Sequence, residues 1–211
     1  MTVVLATRNR GKLAEIAELL KELPVTVGSL DEFPQVQLPE EAGSTFAENA
    51  SLKALAAAQA TGCLALGDDS GLEVEALGGR PGVLSARYAG EGADYPTLCR
   101  KVLAELAGVP RGCRRARFVC VVAAAEPTGI LWTVRGTCAG YVTEEMRGRG
   151  GFGYDPIFFY PALGRTFAEL TPTEKNAVSH RGRAFRRAGA RLAREFAAGD
   201  HGGGGGRRER L

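Results

Sequence analysis

Residues 64–83 read LALGDDSGLEVEALGGRPGV, and within them the apolar run Leu64–Gly67 meets two adjacent carboxylates, Asp68 and Asp69, followed by Ser70 and Gly71. Like charges side by side repel, and a short apolar strand ordinarily leaves the sheet through a single turn residue. The segment reads as a strand over 64–67, an acidic turn at Asp68-Asp69-Ser70-Gly71 and a second strand around Leu72–Glu75. Such a turn is either an acidic surface feature or a place where something positive is held. The segment alone leaves both open.

Working outward, Val3-Val4-Leu5-Ala6 forms a short buried strand, and the turn Thr7–Lys12 leads into a helix with Leu13, Ile16, Leu19, Leu20 and Leu23 at helical spacing, stopped by Pro24. Thr45-x-x-Glu48 is a capping box for an Ala-rich helix that ends at Gly62. Asp94 or Thr97 opens a further helix to about Leu106. ARFVCVVAAA and GILWTVRGTCAGYV are strand-like runs joined through Glu126-Pro127-Thr128-Gly129, a hairpin by its turn residues. PIFFY is another strand, and the spacing predicts one long Arg-rich helix from near Thr173 to Ala197. Helices alternating with strands, then a hairpin, indicate an α/β domain on a mixed sheet over 1–198. Residues 199–211, GDHGGGGGRRERL, read as a disordered Gly-rich tail.

The bulk properties exclude several classes. At 211 residues the chain is long enough to bury a core without staples. Its net charge of +3 is too small to indicate nucleic-acid binding. Five scattered cysteines with no CxxC pair read as reduced thiols. No apolar run reaches membrane length or forms a signal peptide, so the expectation is a cytoplasmic protein with no membrane partner.

Four constellations carry chemistry. VLATRNRGK is a strand, a Gly-containing turn and a helix start, where unpaired N–H groups and the helix dipole favour an anion. Lys12 opposes that dipole, and a phosphate held between it and the N–H groups would remove the conflict. The GxxxxGK[ST] spacing of a Walker loop is missing. Glu48, Asn49 and Lys53 lie along the Ala-rich helix, with Glu40-Glu41 just upstream as a second acidic cluster. GGFGYDPIFFY sets Phe152 and Tyr154 among glycines, as a flat platform for a base or as a plug on the core. Lys175, His180 and Arg181 gather three donors near a helix start. Two acidic clusters for a divalent cation, cations for phosphates and an aromatic–Gly turn for a base make the inventory of a magnesium-bound nucleotide.

The blocks VLATRNRGK, EEAGSTFAENASLKA, GDDSGLEVEALGGRPGVLSARYAG, GGFGYDPIFF and TPTEKNAVSHRGRA, in this order, resemble the inosine/xanthosine triphosphate pyrophosphatases (dITP/XTP diphosphatases) from Val3 to about Ala197. The resemblance implies an elongated, two-lobed α/β fold around a long mixed sheet, and a homodimer. It implies Mg²⁺-dependent hydrolysis of the purine triphosphates ITP, dITP and XTP to monophosphate and pyrophosphate, which keeps deaminated purines out of DNA and RNA. Carried onto this sequence, Thr7, Arg8, Asn9, Arg10, Gly11 and Lys12 would bind the triphosphate. Asp69 would be metal ligand and catalytic base, with Asp68 beside it. Glu40 would be the other metal ligand, its neighbour Glu41 leaving the assignment open by one residue. Ser70 would contact substrate, Phe152, Gly153, Tyr154 and Asp155 would surround the base, and Lys175, His180 and Arg181 would complete the nucleotide site.

Overall fold

The computed structural model describes residues 2–200, with side chains through 195. In chain order the elements are β1 (Thr2–Leu5), α1 (Arg10–Leu20), β2 (Thr26–Ser29), α2 (Phe46–Thr61), β3 (Leu64–Val74), α3 (Tyr95–Glu105), β4 (Arg115–Glu126), β5 (Gly129–Val142), β6 (Phe158–Tyr160), β7 (Arg165–Thr166), α4 (Pro172–Val178) and α5 (His180–Asp200). The strands form one seven-stranded sheet in the order β2-β1-β3-β4-β5-β6-β7. β1 is parallel to both β2 and β3, and every pairing from β3 to β7 is antiparallel. This is the expected mixed α/β sheet with helices on its faces.

The acidic turn does not exist. β3 runs unbroken through Asp68-Asp69-Ser70-Gly71, paired with β4 from Ala65↔Ala125 to Val74↔Ala116. Strand alternation is the reason the pair is tolerated, since it sends adjacent side chains to opposite faces. Asp68 and Asp69 therefore never confront each other across a turn. The long C-terminal helix is also two helices. Ser179 takes an extended conformation (φ −69°, ψ 161°), and its Oγ accepts the Gly182 N–H at 3.0 Å, starting α5 afresh. The hairpin between β4 and β5 and the Gly62 stop of α2 (φ +69°) are as expected. Asp94 is the cap of α3, accepting from Thr97 N at 2.8 Å. At α2, Thr45 Oγ1 accepts from Glu48 N, while the Glu48 carboxylate turns to Ser44 instead of completing the box.

Three apolar clusters stabilise the sheet. Val4, Ala50, Ala54, Ala57, Ala65 and Val121 pack α2 on one face. On the other face, Leu5, Ile16, Leu20, Leu66 and Phe185 join α1 and α5 to β1 and β3. Farther along that same face, Leu72, Val74, Leu98, Val102 and Phe158 join α3 and β6 to the far halves of β3 to β5. Each fully buried Leu, Ile or Phe contributes about 1.5–3 kcal/mol. The two clusters sharing a face are the cores of two lobes, and β3 passes from one to the other with Asp68 and Ser70 between them. α2 lies so close to β3 that a Cβ at Gly67 would run into the Ala50 carbonyl and stand 2.6 Å from Ala54 N. Among the described residues no helix is long and apolar enough to cross a membrane. α5 continues to Asp200, two residues past the boundary expected at 198, and the rest of the expected tail, 201–211, lies outside the described residues.

Candidate active site

The pairing of β1 with β3 ends at Leu5↔Leu66, and the Ala6 N–H to Leu66 carbonyl bond of 2.8 Å closes it. Beyond that point the chain peels away as the Thr7–Lys12 turn, while β3 continues to Val74 on β4, with a single bridge from Glu73 to Pro81 near its far end. The edge of β3 over 67–71 thus borders a notch at the carboxyl end of the parallel pair β1/β3, the place where open α/β sheets bind ligands. A group in such a notch can reach side chains on either face of the strand.

On the α1/α5 side, Asp68 is buried and its Oδ2 lies 2.9 Å from Lys12 Nζ and 3.8 Å from Arg181, with Ser70 Oγ donating to it at 3.0 Å. Burial opposes its ionisation, but Lys12, Arg181 and Lys53 outweigh burial and hold the carboxyl far below the usual range. Asp68 thereby resolves the conflict between Lys12 and the helix dipole that the sequence suggested a phosphate would resolve. Its other oxygen, Oδ1, is buried without a hydrogen-bond partner among the described residues. Asn9 caps α1, its Oδ1 accepting from Lys12 N at 3.1 Å, and Thr7 Oγ1 accepts from Asn9 N at 3.2 Å. Gly11 follows at the start of the helix, against the ring of Phe152. Arg8 is spent on structure, donating to the Val36 and Leu30 carbonyls at 2.9 and 3.3 Å, and Arg10 is exposed on the first turn.

On the α2 side, Asp69 Oδ2 accepts from Asn49 Nδ2 at 3.0 Å and its Oδ1 accepts from Ser70 N at 2.9 Å. Lys53 Nζ lies 3.7 Å from Asp69 Oδ1 and 2.5 Å from Glu41 Oε1, so one ammonium sits between two carboxylates. Burial pushes the Asp69 carboxyl above its ordinary value, against the pull of Lys53. Asn49 and Lys53, one helical turn apart, form an inward face of α2 and not a hydrated one. It is Glu41 that faces this site, on a loop whose Glu41 carbonyl accepts from Arg87 Nη2 at 2.7 Å, whereas Glu40 is exposed.

Between the lobes, a narrow cleft of about 100 Å³ is lined by Lys12, Ser70, Phe118, Phe152, Lys175 and Arg181 among others. The two aromatics of the Gly-rich turn have different fates. Phe152 lies in the cleft with Lys175 Nζ 4.6 Å and the Arg181 guanidinium 5.4 Å from its ring centre. Tyr154 is a buried plug, its OH donating to the Ser85 carbonyl at 2.8 Å. Gly153 takes φ +61° between them. Asp155 is buried, pairs with Lys175 Nζ and accepts from Phe152 N at 2.8 Å, fixing the turn; burial nevertheless pushes its carboxyl up. His180 stacks on Phe118 at 4.5 Å, and burial, followed by Arg181 and Lys175, holds it neutral with a pKa well below the ordinary value.

Sequence reasoning missed Glu15. Its carboxylate bridges Lys175 at 2.7 Å and Arg181 at 2.6 Å, joining the two cations of the cleft. The available signal was its spacing, three residues after Lys12 on the same helix face. Among the described residues no group of three or more His, Cys, Asp or Glu side chains is placed to hold a metal ion.

The chain is similar to known proteins along most of its length. Residues 3–190 match the model of the Ham1 family. A dITP/XTP pyrophosphatase of Desulforamulus reducens is 55% identical over 188 residues, covering 89% of this chain and 94% of the relative. Another, of Geobacter sulfurreducens, is 53% identical over 183 residues, covering 87% and 92%. Among solved structures, a HAM1 protein from Coxiella burnetii superposes with a TM-score of 0.84 at 46% identity, over 92% of this chain and 99% of that one. A nucleoside-triphosphatase/dITP/XTP pyrophosphatase from Mycobacterium abscessus gives 0.73 at 42% identity, over 89% and 98%. A match over nearly the whole described chain, with the notch, the cleft and their charged residues falling inside it, leads to one conclusion: this chain belongs to the Ham1 family.

Proposed function

We propose that this chain hydrolyses the α–β phosphoanhydride of dITP, ITP and XTP, releasing the nucleoside monophosphate and pyrophosphate and so clearing deaminated purines from the nucleotide pool. The observation that carries the reading is the notch on β3, which sets a buried carboxylate, Asp69, beside a cleft holding cations and an aromatic ring. Asp69 is the base that takes the proton of the attacking water. Its burial raises its proton affinity, which favours acceptance, and the Asn49 and Ser70 N–H groups fix its orientation. Lys12, with Thr7, Asn9, Arg10 and Gly11 around it, neutralises the phosphates, and Arg8 braces the loop behind them.

Asp69 and Glu41 are hard oxygen donors drawn to one cation, the Lys53 ammonium, and they fit a divalent ion as well. Two carboxylates with phosphate oxygens completing the shell suit Mg²⁺, which seldom has an all-protein cage. Bound there, Mg²⁺ supplies charge neutralisation and a lowered pKa for water. Glu41 replaces Glu40 as the second ligand in this reading.

Selection among bases follows from hydrogen-bond polarity. Hypoxanthine and xanthine present a carbonyl acceptor at C6, where adenine presents an amino donor. Arg181 Nε is a buried donor with no partner among the described residues, which supports its role as donor to that carbonyl. A buried site built around such a bond discriminates by about 10⁴ or more. The enzyme works as a cytoplasmic homodimer in this reading, consistent with five free cysteines. The test is pyrophosphate release from a triphosphate panel with Mg²⁺ and with excess EDTA. ITP, dITP and XTP turn over far faster than ATP, GTP or pyrimidine triphosphates, and EDTA abolishes turnover. Orthophosphate as first product, or full activity in EDTA, overturns the reading.

A further inference from the structure

α3 presents one apolar stripe to the core, with Leu98, Cys99 and Val102 buried. Tyr95, one turn before Leu98, extends that stripe past the core and into the cleft, where its ring stays 43% exposed. Large aromatics on the core side of a helix are ordinarily covered. This one borders the same cleft as Phe152, with ring centres 6.1 Å apart and planes tilted by 45°. Its hydroxyl reaches across the cleft mouth to within 3.4 Å of Asn9 Nδ2, in the phosphate-side turn. The chain thus offers two rings, one from each wall, with lysine and arginine beside only one of them.

We propose that Tyr95 is a base-binding residue: it forms the second wall of a slot in which a planar purine base stacks between Tyr95 and Phe152. This rests on the reading of the cleft as a nucleotide site. A base between two parallel rings needs about 7 Å between them, two contacts of about 3.5 Å each. The present separation is about 1 Å short, and the tilt is wrong for a flat guest. Tyr95 stands at the exposed first position of α3, so a rotation of its side chain supplies both changes and releases the Asn9 contact. Because every purine has the same π-face, the ring contributes affinity for the base as a class, while the cleft donors choose among bases. Tyr95 touches neither Asp69 nor the residues around it, so the proposal predicts an effect on binding and KM with kcat nearly unchanged.

The test is calorimetric titration of the full chain, as wild type, Tyr95→Ala and Tyr95→Phe, with two probes: inosine monophosphate and base-free inorganic tripolyphosphate. Loss of one stacking partner weakens base binding by about 5- to 150-fold. Tyr95→Ala is expected to lose that much affinity for inosine monophosphate and less than twofold for tripolyphosphate, at an unchanged melting temperature. Tyr95→Phe keeps the ring and restores affinity to within about threefold. Equal affinity of wild type and Tyr95→Ala for the nucleotide sinks the proposal, as does an equal loss for both probes, which would place Tyr95 on the phosphate side through Asn9. Equal losses in the Ala and Phe variants also overturn it, because the hydroxyl and not the ring would then carry the effect. Failure of the wild type itself to bind inosine monophosphate or hydrolyse any nucleoside triphosphate overturns the functional reading instead.

Discussion

Asp68→Asn and Asp69→Asn, adjacent substitutions of identical chemistry, differ in their consequences for stability. Asp68 is buried against Lys12 at 2.9 Å and Arg181 at 3.8 Å, and its carboxyl is held far below the ordinary range. Removing one partner of a buried ionic cluster leaves uncompensated charge and costs about 3–5 kcal/mol. Arg181 keeps Glu15, and Lys12 is the group left without a carboxylate, so the lower end, about 3 kcal/mol, applies. At about 2–4 °C per kcal/mol for a chain of this size, the melting temperature falls by about 6–12 °C. Asp69 differs. Burial raises its pKa, so its ionised form costs stability, and Asn relieves that cost. The amide oxygen accepts only one of the two N–H bonds the carboxylate accepts, which costs about 1–3 kcal/mol and offsets the relief. The net shift is within about 4 °C. The assay is thermal unfolding of both variants at pH 7. A depressed folded pKa contributes stability that is present above the unfolded value, near 4, and lost as pH falls toward the folded one. The deficit of Asp68→Asn is therefore constant above about pH 5 and shrinks below about pH 4. A melting temperature for Asp68→Asn within about 2 °C of wild type, or an equal loss in Asp69→Asn, would refute the assignment of the two faces.

Other outcomes follow from the same geometry. His180 is buried neutral while its unfolded form titrates near pH 6.5, so wild-type stability falls as pH drops below that value, by up to about 1.4 kcal/mol per pH unit; His180→Gln removes this slope, read as melting temperature at pH 7 and pH 5. A Cβ at Gly136 would strike the His180 carbonyl and stand 2.5 Å from Ala184 N, so Gly136→Ala, which lifts α5 from β5, costs about 1–3 kcal/mol by denaturant titration. Deleting residues 201–211, whose composition is Gly and charge, leaves turnover within about twofold in the steady-state assay.

Much of this architecture was legible because periodicity and punctuation are local. The β4–β5 hairpin, the presence of α1 and the Gly62 cap all follow from residues within a few positions of each other, although α1 starts at Arg10, inside the expected turn, and ends at Leu20, short of Leu23 and Pro24. What was not legible depends on partners far along the chain. Asp68-Asp69-Ser70-Gly71 has turn composition, and it is a strand because Lys12, Lys53 and Arg181 arrive from three different helices to offset the carboxylates. Gly67 and Gly71 mark places where other backbone comes close, a demand that only the tertiary fold makes. The break at Ser179 carried a local signal, a Ser three residues before Gly182, that the run of arginines obscured. At the site, which side chain of Glu40-Glu41 turns inward depends on a loop held by Arg87, 46 residues away. Glu15 was passed over because a lone Glu on a surface helix reads as solvated until Lys175 and Arg181 are placed on it.

The proposed reaction depends on Asp69 as its base. It is tested most directly by steady-state pyrophosphate release from ITP by Asp69→Asn, on protein whose fold is verified by its melting curve. Asn keeps the shape of the side chain but accepts no proton from water and ligates a divalent cation poorly. Loss of a general base costs about 10²–10⁴ in rate, and weakened metal binding adds to it. The expected result is a folded variant with turnover reduced at least about a hundredfold. A folded variant keeping more than about a tenth of wild-type activity would contradict it, and the base would have to be sought elsewhere in the notch.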